Sequence, residues 1–476
     1  RHQRLKLLFI SPERLENERF LEMIRGLKIS LIAVDEAHCI SEWGYDFRPS
    51  YQKIVERFDR LQQQARPPIL ALTATATPEV LKDITVHLQL REPYVYKGGF
   101  ARENLSLSVF QVENKQQKLL EILRSVPGAA IVYTMNKKLA EETAAFLRHL
   151  RIPAECYHAG LLKNRRTEIQ QQFFQNRYRV ICATNAFGLG INKPDVRVVV
   201  HLDPPETLEA YFQEAGRAGR DGKRSYVVIL LGPSDVERRR YLIENAHPLR
   251  AEIEACYDVL HEQYKQTGDT LITLDKSVLY QRVFDRCGES FSHYKLSTTL
   301  DTLERQGILT NMTSETENET LCVEATQKEL SDWVRRSGDS VQEKLYEQLL
   351  RNFGAGCFGH EVHLRINLFS EKAGLSSLQV TAMFQRWSAY GLIRFSSSDV
   401  VALRLETPDV SADTLPINWQ VLKQRKKIEL NKFDQFVRYL TYEKCRRNFI
   451  LDYFGEDTYT ERCGICDNCT GRHQKK

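Results

Sequence analysis

Ile29-Ser-Leu-Ile-Ala-Val34 is an apolar run that leads directly into Asp35-Glu36-Ala37-His38. The run has the length and composition of a buried strand. Two adjacent acids at the end of such a strand suit a site that holds a metal and activates water. Asp35 is then expected to hold Mg²⁺, and Glu36 to act as the general base. The stretch therefore predicts an α/β fold with a phosphoryl-transfer site at a strand end.

The acidic stretch resembles the second nucleotide motif of P-loop ATPases, but its usual partner is missing. The chain contains no G-x-x-x-x-G-K-[ST] sequence, which forms the loop that cradles phosphates. It begins with Arg1 instead of methionine, and residues 5–10 already have the pattern of a buried strand. We interpret the sequence as an enzyme whose phosphate loop lies in a part that precedes Arg1.

Length and composition indicate a multidomain protein of the soluble globular class. A chain of 476 residues exceeds one core, and about three domains are expected. The net charge of +5 is too small to indicate nucleic acid by itself. No apolar stretch reaches the roughly 18 residues that span a bilayer, so no membrane partner is expected. The 11 cysteines fit a reducing cytosol better than a disulfide framework.

Strands and helices alternate through the first half of the chain. This alternation is typical of parallel sheets. It predicts two tandem lobes, at 1–92 and 93–232, with a cleft between them. Strands are predicted at 5–10, 29–35, 69–73, 131–133, 156–158, 180–183, 196–201 and 226–231, and helices at 50–64 and 136–150.

The pattern changes after Gly232. Two later stretches, 296–324 and 380–405, resemble each other. Each is predicted to form a helix that ends at a glycine, followed by a strand, a turn and a strand, which is the outline of a winged helix. Small packing or protein-contact units are the alternative. The remaining predictions are a helical stretch at 234–263, a linker at 408–416, a helical stretch at 419–454, and domains at 233–410 and 411–476.

Residues 39–51 form a loop that is rich in aromatic side chains. Trp43, Tyr45 and Phe47 are too many to bury in so short and polar a loop, and Arg48 follows them. Aromatic side chains beside an arginine suit the stacking of unpaired bases. From residue 33 to residue 51 the sequence resembles the RecQ family of DNA helicases, whose DEAH box is followed by such a loop.

The resemblance continues in order along the chain. Matching motifs lie at 8–14, 72–76, 100–105, 157–161, 183–197 and 211–222, and together they cover residues 5–232. The resemblance implies two RecA-like parallel-sheet lobes with ATP bound between them, followed by winged-helix-like and zinc-binding α+β subdomains. It also implies that Thr73 and Thr75 link the state of ATP to the grip on DNA. Thr184 suits contact with a DNA phosphate.

Arg217 and Arg220 lie three residues apart in a Gly-Arg-x-Gly-Arg unit. At helical spacing both side chains point the same way, and from the second lobe they would reach a γ-phosphate held by the first. They are therefore expected to act as arginine fingers. The same site is expected to include Gln213 as support, Gly190 for close backbone approach, Asn192 as a hydrogen-bonding partner of the ribose, and His38 beside the acids.

Cys445, Cys463, Cys466 and Cys469 gather near the C-terminal end, the last three with two residues between neighbours. Four thiolates at such spacing suit a closed tetrahedral zinc site, and the surrounding string also resembles the zinc subdomain of the RecQ family. The order departs from the usual one in that family, because residues 233–440 separate the second lobe from the zinc cysteines.

The resemblance implies an ATP-dependent DNA helicase that moves 3′→5′ on single-stranded DNA and opens duplexes at junctions. ATP, Mg²⁺ and Zn²⁺ are the expected cofactors. DNA repair and recombination is the implied setting, with proteins of those processes as possible partners. A DNA-binding scaffold with a degenerate motor is one alternative, and an RNA helicase is another.

Overall fold

The computed structural model describes residues 6–41, 47–61, 66–188, 191–312, 320–360, 362–364, 366–396, 400–457 and 460–471. The chain forms two compact units. One comprises Arg1–Tyr241 and Arg425–Lys476, and the other comprises Leu242–Gln424. The α/β class predicted from the sequence is confirmed by the parallel sheets of the first unit.

The first sheet of the first unit has two short parallel strands, β1 (Ile32–Val34) and β2 (Ile69–Ala71). The predicted strand at 5–10 is wrong for the described residues 6–10, where the backbone is not paired and Phe9 is 90% exposed. A strand requires a hydrogen-bonded neighbour, and the described part of this sheet offers only β1 and β2. Four helices surround the sheet, namely α1 (Glu18–Ile24), α2 (Pro49–Gln52), α3 (Ile54–Leu61) and α4 (Pro78–His87).

The helix predicted at 50–64 is divided. Lys53 separates α2 from α3, and α3 ends at Leu61 in the described chain. Its apolar residues pack with those of α1 and α4 into one core that includes Phe20, Ile54 and Ile84. The core therefore lies beneath the strand ends that carry the acidic residues.

The second sheet has six parallel strands in the order β3-β8-β7-β4-β6-β5. The five strands predicted between 131 and 231 are confirmed, with shifts of a few residues at their ends. The prediction omitted β3, although Leu105-Ser-Leu-Ser-Val109 alternates as a strand does, and Ser106 and Ser108 are both buried. The elements are β3 (Leu105–Gln111), α5 (Lys115–Ser125), β4 (Ala129–Tyr133), α6 (Lys137–His149), β5 (Ala154–Tyr157), α7 (Lys163–Phe174), β6 (Val180–Ala183), β7 (Val196–His201), α8 (Leu208–Ala215) and β8 (Ser225–Leu231).

The second unit is built from helices around two small antiparallel sheets, with strand orders β10-β14-β9 and β12-β11-β13. The predicted helical stretch at 234–263 is interrupted around Pro248, and the chain enters this unit within the first of its two helices. The elements are α9 (Asp235–Asn245), α10 (Arg250–Thr267), β9 (Leu271–Asp275), α11 (Lys276–Cys287), α12 (His293–Arg305), β10 (Leu309–Asn311), β11 (Thr320–Val323), α13 (Gln327–Ser337), α14 (Ser340–Phe353), β12 (Val362–His363), α15 (Ile366–Ala373), α16 (Ser377–Ala389), β13 (Ile393–Ser396) and β14 (Val400–Leu405).

The two winged-helix-like stretches are interleaved instead of consecutive. Their helices, α12 and α16, are present, but the predicted local hairpins are wrong. β10 pairs with β14, which comes about 90 residues later, so that Leu309 lies opposite Leu405. β11 pairs with β13, so that Leu321 lies opposite Phe395. One helix-and-sheet subdomain, which contains β11, β12 and β13, is thus inserted between β10 and β14 of the other subdomain. The prediction failed because the alternation of residues along a strand does not specify which strand it pairs with.

The linker predicted at 408–416 is instead a packed segment. Ala412 and Leu415 are buried in the core that lies against α10. The hydroxyl of Tyr257 lies 2.6 Å from the carbonyl oxygen of Thr407, and His261 bonds the carbonyl oxygen of Pro408. The prolines and acids of this segment give it the composition of a linker. Ala412 and Leu415 are nevertheless buried, as the apolar residues of an exposed linker would not be.

The C-terminal part of the first unit contains α17 (Trp419–Leu440), α18 (Arg446–Tyr453) and α19 (Asp467–Thr470). The helical stretch predicted at 419–454 is confirmed with an interruption before α18. The chain leaves the second unit within α17. Throughout the described residues, no helix has the length and apolar composition that crossing a membrane requires.

Candidate nucleotide site and cysteine cluster

The carboxyl ends of β1 and β2 bring the acidic motif beside the threonines of 72–76. The amide of Leu72 donates to the carbonyl oxygen of Val34 at 2.8 Å, and the amide of Ala37 donates back to Leu72 at 2.9 Å. Asp35 is exposed at the end of β1. The strand edge where it lies is the usual place for ligands in a parallel sheet. The local fold therefore presents the predicted Mg²⁺ ligand to solvent.

Glu36 has a left-handed backbone with a φ of 50°. For a residue other than glycine this conformation costs about 1–2 kcal/mol. Its amide donates to Oδ1 of Asp35 at 2.9 Å, and the turn Ala37–Ile40 follows at once. This left-handed residue lies directly after β1, and backbone strain of this kind is concentrated at functional sites.

His38 is buried behind the acids, with 1% of its surface exposed. Its Nδ1 lies 3.0 Å from the hydroxyl oxygen of Thr73 and 3.4 Å from Oε2 of Glu36. The Thr73 hydroxyl also accepts a hydrogen bond from the amide of Thr75 at 3.2 Å. His38 thus connects the acidic motif to the threonine motif. This position suits a residue that orients Glu36 better than one that contacts a substrate.

We name Asp35, Glu36, His38 and Thr73 the acid wall. Thr75, which the sequence placed with Thr73 in DNA coupling, is 2% exposed and packs behind this wall.

Gln213, Arg217 and Arg220 form a second group, which we name the arginine wall. The helical spacing predicted for the two arginines is wrong, because α8 ends at Ala215 and both lie in the turn that follows. Gly216 caps the helix, and Gly219 has a φ of +60°, which a residue with a Cβ rarely adopts. Arg217 is 6% exposed. Burial raises the pKa of Tyr133, and the nearby guanidinium of Arg217 opposes that rise.

Arg102 and Asn104 hold the turn that carries these arginines. The guanidinium of Arg102 donates to the carbonyl oxygens of Gly216, Ala218 and Gly219 at 3.2, 3.0 and 3.2 Å. The amide of Asn104 donates to Gly219 at 2.7 Å and to Lys223 at 2.9 Å. The sequence gave no role to either residue. An arginine and an asparagine directly before a strand were the available signal.

Positive charge is concentrated at the arginine wall. Burial lowers the pKa of Arg220, and the neighbouring Arg217 and Arg102 lower it further. Within the described chain no salt bridge joins any of these three arginines to an acid. A phosphate between them would relieve this repulsion, and anion binding is what clustered guanidinium groups perform well.

Residues of both walls line one cleft of about 1550 Å³ in the first unit. They are Glu36 and Thr73 of the acid wall and Gln213, Arg217 and Arg220 of the arginine wall, whereas Asp35 and His38 are not among the described residues that line it. Gly188 also lines the cleft, and a Cβ at this position would lie 2.7 Å from the carbonyl oxygen of Asn185. The sequence therefore identified residues from two sheets that the fold brings to one cavity.

Other predicted residues have neighbours of a different kind. Oδ1 of Asn192 accepts from Arg220 at 2.9 Å, which makes Asn192 a partner of the arginine instead of a free ribose ligand. Thr184 is half-buried after β6 and accepts from the amide of Ala186 at 3.4 Å. Trp43 and Gly190 lie outside the described residues.

Phe47 and Arg48, which the sequence assigned to DNA, both have partners within the unit. The guanidinium of Arg425 in α17 lies 4.8 Å from the ring centroid of Phe47. Arg48 forms a 3.3 Å salt bridge with Glu13 and lies 6.0 Å from the ring of Tyr51. The hydroxyl of Tyr51 donates to the backbone of Asp35 at 3.3 Å, so this end of the loop is fastened to the acid wall.

The four C-terminal cysteines converge. The sulfurs of Cys445, Cys463, Cys466 and Cys469 all lie within 4.8 Å of one another, and those of Cys463 and Cys469 are 3.9 Å apart. A tetrahedral zinc with sulfur at about 2.3 Å has ligands roughly 3.8 Å apart. Hydrogen bonds from Cys445 and Cys466 hold the pKa of Cys463 well below its usual range. The donor set and its spacing therefore fit structural zinc.

Three family models match the chain. Residues 1–84 match "DEAD/DEAH box helicase", residues 114–222 match "Helicase conserved C-terminal domain", and residues 409–470 match "RecQ zinc-binding". The last match contains all four converging cysteines. The chain belongs to the RecQ family.

Curated relatives agree with this assignment to the RecQ family. The chain is 44% identical over 242 residues to "ATP-dependent DNA helicase RecQ" of Bacillus subtilis, which covers 51% of the chain and 41% of that protein. It is 38% identical over 255 residues to "RecQ-like DNA helicase blm-1" of Caenorhabditis elegans, covering 51% and 25%. A protein of Acanthamoeba polyphaga mimivirus named as an ATP-dependent RNA helicase is 41% identical over 250 residues, covering 51% and 45%. The chain spans less than half the length of these three relatives.

Proposed function

We propose that this chain is part of an ATP-dependent DNA helicase that moves 3′→5′ on single-stranded DNA and separates duplexes at junctions. The observation that carries the proposal is the cleft that Glu36 and Thr73 share with the arginine wall. The names of the RecQ relatives from B. subtilis and C. elegans support DNA as the substrate. Lobes at 1–92 and 93–232, domains at 233–410 and 411–476, and a role in repair and recombination in the nucleoid or nucleus belong to the same proposal.

Each wall has a distinct task in ATP hydrolysis. Asp35 would hold Mg²⁺ beside the phosphates, and Glu36 would orient the attacking water and accept its proton. Arg217 and Arg220 would stabilise the negative charge that develops on the transferred phosphoryl group. Bound zinc would supply no chemistry, because a site with four thiolates is closed to water.

Coupling to DNA would pass through His38. A change at Thr73 on nucleic-acid binding would reach Glu36 through the 3.0 Å contact of Thr73 with Nδ1 of His38 and the 3.4 Å contact of that nitrogen with Oε2 of Glu36. This connection supports the proposed role of Thr73 in coupling. DNA phosphates and bases would lie near Thr184 and the aromatic loop of 39–51.

The experiment compares strand separation by the full-length protein and its Glu36→Ala variant. DNA duplexes with a 3′ or a 5′ single-stranded extension and a matched RNA duplex are the substrates. We expect ATP-dependent separation of the DNA with the 3′ extension only, loss of separation in Glu36→Ala, and unchanged DNA affinity.

Glu16→Ala is the matched control, since Glu16 pairs with Lys53 on the surface. Preference for the 5′ extension would refute the polarity. Efficient opening of the RNA duplex alone would favour the RNA helicase, which the name of the mimivirus relative supports. Normal ATP hydrolysis by Glu36→Ala would refute the assigned chemistry.

A further inference from the structure

A buried ion pair joins the cysteine cluster to the second sheet. Arg446 follows Cys445, and Asp467 follows Cys466. Nε of Arg446 donates to Oδ1 of Asp467 at 2.6 Å, and the two side chains are 4% and 0% exposed. Oδ2 of Asp467 accepts from the amide of Val109 in β3 at 2.7 Å. A pair so deeply buried is tolerated only when its geometry is good, as it is here.

The same arginine continues the contact toward α8. Its Nη1 donates to the carbonyl oxygen of Tyr439 at 2.8 Å, and its guanidinium lies 5.4 Å from the Tyr439 ring. The hydroxyl of Tyr439 donates to that of Tyr211 at 3.0 Å. Both tyrosines are completely buried, and burial raises the pKa of each, so both hydroxyls stay protonated. Tyr211 belongs to α8, the helix that precedes the arginine wall.

A stack of rings completes the path to the cleft. The ring of Tyr211 lies 5.3 Å from that of His201, which lies 5.5 Å from that of Tyr133. His201 is fixed by Glu214 at 2.9 Å. The hydroxyl of Tyr133 donates to the carbonyl oxygen of Phe187 at 2.8 Å. At the next residue, Gly188, a Cβ would lie 3.5 Å from Nη2 of Arg217. Burial raises the pKa of Tyr133, and the nearby guanidinium of Arg217 opposes that rise.

We propose that the cysteine cluster positions Arg217 in the nucleotide cleft through a buried relay, which comprises Asp467, Arg446, Tyr439, Tyr211, His201 and Tyr133. The proposal rests on the proposed function of Arg217. A metal held by Cys445 and Cys466 would fix these two residues, and therefore the two relay residues that follow them. Packed rings have few alternative arrangements, so a displacement at one end cannot be absorbed locally. The relay residues are positioning residues and do not touch the nucleotide.

The first test uses Tyr439→Phe, which removes one hydroxyl and keeps the ring. Zinc content should stay at one per chain. Amide hydrogen exchange in residues 208–222 should become about threefold to tenfold faster, because a buried hydroxyl of Tyr211 loses its partner. Tyr442→Phe is the matched control, since the Tyr442 ring packs on Phe449 in the same module. Unchanged exchange in Tyr439→Phe with zinc retained would overturn the relay.

The second test separates positioning from general stability. In the full-length protein, Asp467→Asn should lower kcat for ATP hydrolysis about tenfold or more, while KM for ATP changes less than twofold. Arg438→Met, an exposed change beside Tyr439, should alter neither. An equal loss in both variants, or a rise in KM alone, would contradict the proposal.

Failure of the proposed function has a different signature. If the unaltered protein hydrolyses no ATP, the assigned activity is wrong. The exchange measurement on residues 208–222 then decides by itself whether the relay reaches the arginine turn.

Discussion

The acid wall and the arginine wall of the cleft are held in different ways. The acids follow a three-residue strand, and most contacts of their wall join residues within 40 positions of one another. The arginines follow a helix that is backed by a six-stranded sheet and a buried relay whose partners lie 228 and 358 residues apart. The first wall is specified locally, and the buried residues of the core beneath it all lie between Leu15 and Leu88. The second depends on distant parts of the chain being in place.

Zinc removal is expected to give the largest effect. Cys463→Ser should abolish zinc binding and lower the unfolding midpoint of the first unit by about 10 °C or more, because structural zinc contributes several kcal/mol to folding. Metal analysis and calorimetry check both results. Cys156→Ser, outside the cluster, should retain zinc. If Cys463→Ser also retained zinc, the metal site would be wrong.

Loss of an arginine should come next. In the full-length protein, Arg217→Ala should slow ATP hydrolysis by about 10³–10⁵-fold, the range found for arginine fingers. Arg224→Ala provides a control, since Arg224 lies exposed over Tyr226. Steady-state hydrolysis with saturating DNA is the measurement. A loss below about tenfold would assign Arg217 to packing instead of catalysis.

The acid wall should show a smaller effect when its hydrogen bonds are altered. Thr73→Val removes the hydroxyl that contacts His38 and accepts from Thr75. We expect the stimulation of hydrolysis by DNA to fall about fivefold to tenfold, equivalent to about 1 kcal/mol. Thr167→Val removes an exposed helix hydroxyl and should leave the stimulation intact. Equal stimulation in both variants would remove Thr73 from the coupling path.

The smallest expected effect concerns the contact between the aromatic loop and α17. Arg425→Met removes the cation from the ring of Phe47 and should lower the free energy of unfolding by about 0.5–1 kcal/mol. Lys427→Met, an exposed change two residues away, is the control. Urea unfolding distinguishes them, and an indistinguishable midpoint would show that the Phe47 contact does not contribute to stability.

Sequence reasoning succeeded where the determinants are local. The acids, the threonines and the cysteine spacing are each contained in short segments, and the strands of the second sheet are continuous apolar runs. It failed where the partner is distant. The turn after Ala215 is held by Arg102, more than 110 residues earlier, and Asp467 accepts from the amide of Val109, 358 residues earlier. Phe47 and Arg48 are residue types that often stack on bases, but Arg425 packs on the ring of Phe47 and Glu13 forms a salt bridge with Arg48.

The interleaved sheets of the second unit have a consequence for synthesis. β14 is the central strand of its sheet, between β10 and β9, and it is the last of the three to leave the ribosome. Until then the backbone amides and carbonyls of β9 and β10 lack the hydrogen-bonding partners that β14 provides. Such exposed strand edges can pair with other chains and cause aggregation. The inserted subdomain between Thr320 and Ser396, by contrast, has all three of its strands synthesised before β14. During synthesis, the inserted subdomain should therefore fold before the subdomain that contains β9, β10 and β14.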